Sequence, residues 1–592
     1  MSGGLRANAG AAARRATAEA LVFLLLVLIN PFEIVQWSEQ RSRDIWQRIH
    51  APRYVQLDAE GDPPPSRPGT AYGRDRITIV YNDDRTLEAL NQTRPLSAFA
   101  LIDMIDDVLY AGGEGAAPRA IFVDFLLTHA APADTTGANL VSAIPSQSAA
   151  CAERRAEGPS LSPFQCLVAR TAEITRYKDW AGDPFCRESN LATIRCILKT
   201  GGTPVIFADP RPPARDENDP RLESPALDAL STVAAIAPVA VDEVGYRMVD
   251  PQLAGDREQQ PFQLYPAAAM YAAYCYRGPS PCDPATPTRL DDQERAAWSW
   301  HYEIPIDVTW GIGPESKFTK MMDKRLAGSL KQRCQPASNA SAIRTLFRLM
   351  TAGINTKSKS PCVYTDAIPY EIFQSPISQE DLAFLLKDRL VLIGGQFADS
   401  NDIVRAPPFE ALPGIYYHAM ALDNLIQRGA SYPKIAQPIA PGLDMTWVDM
   451  STLLAIFLVG FVLAFATRIL LVRRSGQALS LSQTGADLGK RFVIALIFAL
   501  FLVLILITMI GSVRLIPESF NLVAVTLVCL LGLLRLAWVA ADPVRVWLLR
   551  HSAFVRFWSR LFAPLDEESE RPARGRKKAA PKGRRRQGRG DA

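Results

Sequence analysis

Several chemistries lose their footing on what this 592-residue chain lacks. It has no C-x-x-C pair, and none of its five histidines stands at ligand spacing from a cysteine, so the common zinc-site patterns are missing. Neither a P-loop nor a G-x-S-x-G elbow occurs, which leaves P-loop nucleotide hydrolysis and α/β-hydrolase catalysis without support. No segment repeats internally. Neither sign of charge dominates: 65 Lys and Arg face 61 Asp and Glu, a formal net charge of +4. With 21% charged and 48% hydrophobic residues, the chain is not disordered throughout. Its length allows roughly three or four domains.

The mean hydropathy of +0.02 is an average of unlike parts. Uncharged apolar stretches run from Ala20 to Ile29, Met450 to Thr467, Phe492 to Val513 and Ser519 to Leu534. About 20 apolar residues cross a bilayer, so with their flanks these predict four transmembrane helices, at 19–37, 446–472, 492–513 and 515–541. The first resembles a signal peptide in its basic start (Arg6, Arg14, Arg15). No small-x-small cleavage site follows, however, and Asn30-Pro31-Phe32-Glu33 comes next, so an uncleaved anchor is expected. Basic residues in the arm 1–18, in the loop 473–491 and after the last span orient both termini to the cytoplasm. Residues 38–445 then lie outside, in a periplasm, and the protein is expected in a bacterial inner membrane.

Cysteine usage agrees. Cys151, Cys166, Cys186, Cys196, Cys275, Cys282, Cys334 and Cys362 fall in the outer segment, Cys529 in the fourth span, and none in the cytoplasmic parts. An even number outside predicts disulfides in an oxidising compartment. The connectivity stays open. Sequential neighbours are the simplest expectation, Cys186–Cys196 and Cys275–Cys282 first, with metal binding the competing idea.

Within the outer segment, Ile77–Tyr81 and Ala120–Asp124 read as buried strands, each running into carboxylates. Between them Leu96–Leu109 is apolar at a 3.6-residue period and stops at Gly112-Gly113, completing a strand–helix–strand unit and predicting a parallel sheet. Pro204–Phe207 and Leu390–Ile393 follow the same pattern. The Pro-, Gly- and Cys-rich stretches 130–200 and 276–365 look like disulfide-held insertions. Residues 59–70 look like a stiff linker between membrane and fold. The expected fold class is an α/β extracytoplasmic domain with a mainly parallel sheet and disulfide-bearing insertions, plus four transmembrane α-helices, one before and three after.

Three stretches carry a family resemblance: Ile77–Leu87, Arg119–Leu127, and Arg389–Gly395 continuing through Asp402, Pro407-Pro408-Phe409 and Leu412–Leu425. In these the chain resembles CHASE2-domain proteins, the extracytoplasmic sensory modules of bacterial signalling receptors, over most of 38–430. The resemblance implies one helix before the domain and a short group after it. Two departures bear on ligand choice. Tyr416-Tyr417 stands where the family usually has Val-Glu before the histidine, and Arg94-Pro95-Leu96 replaces an aromatic-Pro-aromatic element. Receptors of this family typically end in a cyclase, kinase or diguanylate-type domain. About 50 residues follow the last predicted span here, so a sensory subunit acting through a separate cytoplasmic or membrane output protein is expected.

The candidate ligand-binding residues are Asp83, Asp84, Asp124, Asp402 and His418. Asn82–Thr86 resembles the D-x-D-x-T strand end of haloacid-dehalogenase-type phosphatases, but Asn82 occupies the nucleophile's place, and a helix-capping role for Asp83 and Asp84 fits better. For Asp124, at the next strand end, a turn or cap role is expected, with an approach to Asp84 in a shared polar pocket or weak divalent-ion site as the alternative. Asp399-Ser400-Asn401-Asp402 has alternating oxygen donors but lacks the glycine and distant glutamate of a calcium loop, so a turn is expected. For His418 a structural role outweighs ligation or pH sensing. No catalytic residue, metal or cofactor is expected.

The spans hold ionisable residues only near their ends, Glu33 and Arg535, which argues against transport. Gly460 and Ala464 form a small-xxx-small pair suited to close packing in a homo-oligomer. Residues 542–563 read as a basic, aromatic amphipathic helix on the inner leaflet, and 564–592 as a disordered basic tail, with membrane lipid the favoured partner and nucleic acid not expected. An unknown periplasmic ligand or protein completes the partners. Two alternatives remain: a non-sensory scaffold subunit of an envelope complex, and a phosphatase-like hydrolase.

Overall fold

The computed structural model describes residues 76–89, 94, 96–125, 162–210, 225–239, 245–249, 263–277, 301–312, 363–375, 377–397, 402–407, 409, 411–435 and parts of 437–446. Single positions outside these, among them 17, 21, 40, 43, 44, 47, 48, 51, 54, 298, 453 and 457, are described as well. The chain divides into two compact units, one comprising Met1–Pro31, Met450–Met509 and Leu522–Ala592, the other Phe32–Asp449 with Ile510–Asn521. The sheet and its covering helices belong to the second unit. Among the described residues no helix is long and apolar enough to cross a membrane. The four predicted spans lie outside those residues except for Leu21, Thr446, Leu453 and Phe457, and the amphipathic helix and basic tail lie wholly outside them.

Six strands form one parallel sheet: β1 (Ile77–Asn82), β2 (Ala120–Asp124), β3 (Val205–Asp209), β4 (Ala235–Pro238), β5 (Asp366–Pro369) and β6 (Leu390–Gly395). Their order is β4-β3-β2-β6-β1-β5. The last strand to join therefore sits between the first two, with Leu392 beside both Ile79 and Phe122. Such a sheet is covered on both faces, which is why its central strands are continuous apolar runs rather than alternating ones. The four strands expected from sequence are present, and β4 and β5 join them at the edges.

Nine helices are defined among the described residues: α1 (Asp84–Ala89), α2 (Ala98–Tyr110), α3 (Pro163–Ile174), α4 (Tyr177–Trp180), α5 (Asn190–Lys199), α6 (Pro225–Ser231), α7 (Pro266–Arg277), α8 (Gln379–Leu386) and α9 (Gly414–Arg428). One face of the sheet, carrying Val80, Ile121, Val123 and Val391, packs on α2, α3, α6 and α8 through residues such as Met104, Ile105, Leu167, Leu230 and Leu385. The other, carrying Ile79, Phe122 and Leu392, packs on α5, α7 and α9 through Leu191, Met270, Ile415 and Leu422. Each such side chain contributes about 1.5–3 kcal/mol by leaving water. Starts are fixed locally: Ser97 accepts the Ala100 N–H at 3.1 Å, and Ser162 and Gln165 form a capping box ahead of α3.

Two expectations change and a third is met in part. Part of the stretch read as an insertion, 130–200, belongs to the layers themselves: α3 and α5 lie on opposite faces and form much of the β2-to-β3 crossover. The linker 59–70 lies outside the described residues, and the fold begins ahead of it, because Tyr54 is only 3% exposed and belongs to the core. Of the eight outer cysteines, Cys186 and Cys196 are bonded to each other as expected, tying the turn Pro184–Arg187 to α5. Cys166 and Cys275 are disulfide-bonded as well. Cys151, Cys282, Cys334 and Cys362 lie outside the described residues.

Candidate functional site

All six strands point their carboxyl ends the same way, and in open α/β sheets that edge is where ligands bind. Here it carries Asn82-Asp83-Asp84 after β1, Asp124 ending β2 and Gln396-Phe397 after β6. A two-strand hairpin, β7 (Ile403–Val404) with β8 (Leu412–Pro413), leads directly into α9. The predicted residues separate here into two groups.

Asp83 and Asp84 are on the open side. The Asp83 carboxylate accepts from the Thr86 N–H at 2.9 Å and from the Thr86 hydroxyl at 2.8 Å, so it caps α1 as expected. Asp84 is exposed and ion-paired with Arg94, whose guanidinium lies 3.8 Å from the centre of the Phe397 ring. Arg94 thus bridges a carboxylate and an aromatic ring, inside the stretch where the sequence departs from the family pattern. These residues border an open cleft of about 380 Å³, whose wall includes Asp83, Asp84, Arg85, Gln396, Phe397, Ile403 and Leu412. Behind it, the buried Asn82 side-chain amide finds no hydrogen-bond partner among the described residues.

Asp124, Asp402 and His418 form the second group, which is buried. His418 Nε2 is 3.9 Å from Asp124 Oδ2, and both side chains are under a tenth exposed. The Tyr246 hydroxyl accepts the Ala267 N–H at 2.9 Å and lies 2.8 Å from His418 Nδ1. With the hydroxyl donating to Nδ1, the imidazole hydrogen would stand on Nε2, facing Asp124. Burial lowers the His418 pKa to about 3, so the ring is neutral. Burial, and then the charge of Asp402, push the Asp124 carboxyl well above the usual carboxylate range. Asp402 is also raised by burial, partly offset by a hydrogen bond from the Gly414 N–H. A neutral ring beside a protonated carboxyl is thus favoured over an ion pair, and the cluster can hold or release a proton in the interior. A cavity of about 10 Å³, room for roughly one water, adjoins His418 and Tyr246.

The alternative in which Asp124 meets Asp84 does not occur. With β6 between β1 and β2, the two strand ends are two inter-strand spacings apart, roughly 10 Å. Asp84 is exposed while Asp124 turns into the layer beneath α9, where Asp402 and His418 meet it. Among the described residues the one group with metal-ligand geometry is Asp183 with Cys186 and Cys196, and its two sulfurs are joined in a disulfide.

Sequence reading missed Tyr246, which orients His418. It also gave no role to Asp423 and Asn424, polar residues on the buried face of α9. The Tyr54 hydroxyl donates to the Asp423 carboxylate, and Asn424 Nδ2 donates to the Thr309 carbonyl at 3.0 Å. Polar residues within an otherwise apolar helical stripe were the available signal.

The family model of the CHASE2 domain matches residues 20–465, from inside the first predicted span to inside the second. No curated protein and no solved structure matches the chain. CHASE2 is a family of sensory, extracytoplasmic domains. Since the match covers most of the chain and includes the strands, the edge residues and α9 just described, the chain belongs to the CHASE2 domain family.

Proposed function

We propose that this protein is a membrane-anchored extracytoplasmic sensor that binds a ligand at the carboxyl edge of its sheet and acts through a separate output protein. The observation that carries the reading is the cleft of about 380 Å³ beside α9, within the size range of small-molecule sites. Its wall combines charge (Asp83, Asp84, Arg85) with apolar surface (Phe397, Ile403, Leu412), and Arg94 contacts two of these, Asp84 and Phe397; that mixture fixes and orients an amphipathic ligand. No catalytic role is assigned to the edge: Asn82 cannot serve as a phosphoryl acceptor, and the Asp83 carboxylate is engaged in its cap.

In this reading the predicted spans hold the α/β domain outside the inner membrane, and the basic tail faces lipid and partner inside. Affinity purification of the full chain from its native membrane, followed by identification of bound small molecules and proteins, tests it. A small molecule retained by the wild type and lost in Phe397→Ala, with an output protein retained by both, is the expected result. Recovery of envelope proteins alone, unaffected by cleft substitutions, would favour a scaffold instead.

A further inference from the structure

Helix α9 links two places that are distant in sequence. Its residues Gly414 to Leu425 are all buried, and it packs on β1, β6 and α7. At its first turn stands Asp402. A Cβ on Gly414 would lie 2.3 Å from one Asp402 carboxylate oxygen and 2.7 Å from the other, so the carboxylate sits close against the start of the helix. Four residues on, His418 faces Asp124.

Nine to ten residues beyond Gly414, roughly 14 Å along the axis, the same helix holds the segment around Tyr54. The Tyr54 hydroxyl donates to Asp423, Asn424 Nδ2 reaches the Tyr54 hydroxyl at 3.4 Å, and Gln427 Nε2 donates to Asp423 at 2.7 Å. The strap around Val308–Trp310 completes the clamp. Asn424 bonds both the N–H and the carbonyl of Thr309, and Gln47 bonds the Val308 carbonyl at 3.2 Å and the Trp310 N–H at 3.0 Å. Arg43, Asp44, Gln47 and Arg48 are helical, and Asp44 pairs with Arg405, three residues after Asp402. There is no slack: a Cβ on Gly311 would lie 2.6 Å from Tyr54 Cδ1.

We propose that α9 is the transmitting element of the sensor, carrying a change of charge at the Asp124–Asp402 pair to the Tyr54–Asp423 contact and so to residues 43–54, which follow the first predicted span. The proposal rests on the edge being the sensory site, and adds the route by which occupancy there leaves the domain. The physical basis is a helix pinned at both ends within a close-packed layer, where a small displacement at one end is passed on as a rigid shift. The charged and titratable groups around the pair are His418 from α9, Tyr246 from the segment over it, and Asp402 itself; Tyr417 and Tyr265 face Tyr246. The Tyr54 end is faced by Asp423, Tyr364 and Arg428.

Hydrogen–deuterium exchange on the full chain in lipid nanodiscs tests the route without a ligand, using Asp402→Asn to remove a charge from the pair and Asp124→Asn to keep its neutral form. Asp402→Asn is expected to alter exchange in 43–54 by about fivefold or more, the lower end of usual coupling between sites, and Asp124→Asn to alter it less, while α2 and β6 stay within twofold. Tyr54→Phe is expected to act in the reverse direction, changing exchange in the first turn of α9, because coupling is reciprocal. Unchanged exchange in 43–54 in both Asn variants would overturn the proposal. A rise shared equally by β6 and 43–54 in both would overturn it too, since that is general loosening. The cleft reading is judged separately by ligand retention in Phe397→Ala, so either idea can fail alone.

Discussion

Gly414→Ala is the sharpest test of the geometry at the edge. The new methyl would lie 2.3 Å and 2.7 Å from the two oxygens of Asp402, well inside van der Waals contact. Gly414 does not have a positive φ, so the alanine backbone itself is unstrained and the effect is the collision alone. One response is for the Asp402 carboxyl to swing away from the start of α9, while the Gly414 N–H keeps its 3.1 Å bond to the Asp402 main-chain carbonyl. The other is for α9 to move within its packing on β1, β6 and α7, at an overpacking cost of about 1–3 kcal/mol. Either way the first turn of α9 should open more easily, by about five- to a hundredfold in amide exchange. Asp402→Ala removes the carboxyl that the methyl meets but keeps the bond from the Gly414 N–H to its main-chain carbonyl, so it should cost less. The double variant should cost little more than either single one, because the methyl then meets nothing. Native-state exchange on the full chain in nanodiscs, read at 414–418, gives all three values. Additive losses, or a neutral Gly414→Ala, would refute the close approach of carboxylate and helix.

Arg389→Met strands Asp366, its partner at 3.0 Å, with both side chains nearly buried, and should destabilise the sheet by about 3–5 kcal/mol as judged by exchange in β1 and β6. Replacing Cys186 and Cys196 together by Ser opens a bridge with a sequence separation of 10, costing about 3 kcal/mol by loop entropy. Proteolysis within 184–199 should speed up to the rate of the reduced wild type. For pH, the His418 pKa falls from 6.5 unfolded to about 3 folded, so the unfolded chain takes up its proton first. Stability is therefore present above about pH 6.5 and lost on acidification towards pH 3, by roughly 1.4 kcal/mol per unit, and His418→Asn should flatten that slope in urea titrations at pH 7 to 5. Asp124 has the opposite sign. Its raised carboxyl pKa gives stability that is full below about 3.8 and lost as pH rises to the folded value, so Asp124→Asn should gain relative to wild type at neutral pH.

Local features of this fold were legible in the sequence, and relational ones were not. The strands β1, β2, β3 and β6 announced themselves because burial on both faces writes near-continuous runs of apolar and β-branched residues. By contrast β4 and β5, with four residues each and a proline at the end, carry almost no pattern. The Ala- and Tyr-rich α7 has no polar face to set a period, because it is buried nearly all round. The Asp83 cap and the Cys186–Cys196 bond could be read because both partners are close in sequence. Strand order could not. Reading β1 and β2 as neighbours follows from the usual βαβ habit. The insertion of β6 between them, decided by a segment far later in the chain, is what moved Asp124 from Asp84 to Asp402 and His418.

The same topology explains what the two departures from the family pattern mean. Tyr417, where the family usually has glutamate, stacks on Trp310 at 6.0 Å and sets its ring against Tyr246 at 5.1 Å. It is packing, and it leaves the surroundings of Tyr246 and His418 without the charge a glutamate would bring. A carboxylate there would favour a protonated imidazole and oppose the depressed pKa of His418. A glutamate there would thus act against the burial that keeps the cluster neutral. Tyr416 points the other way: its hydroxyl donates to Gln396 Oε1 at 3.1 Å, and Gln396 lines the open cleft. Of the pair, Tyr416 and the nearby Arg94 are placed to alter which ligand the cleft accepts, while Tyr417 sets the protonation state behind it. Replacing Tyr417 by glutamate should therefore shift the pH response of the buried cluster, and replacing Tyr416 by valine should change ligand choice with that response unchanged.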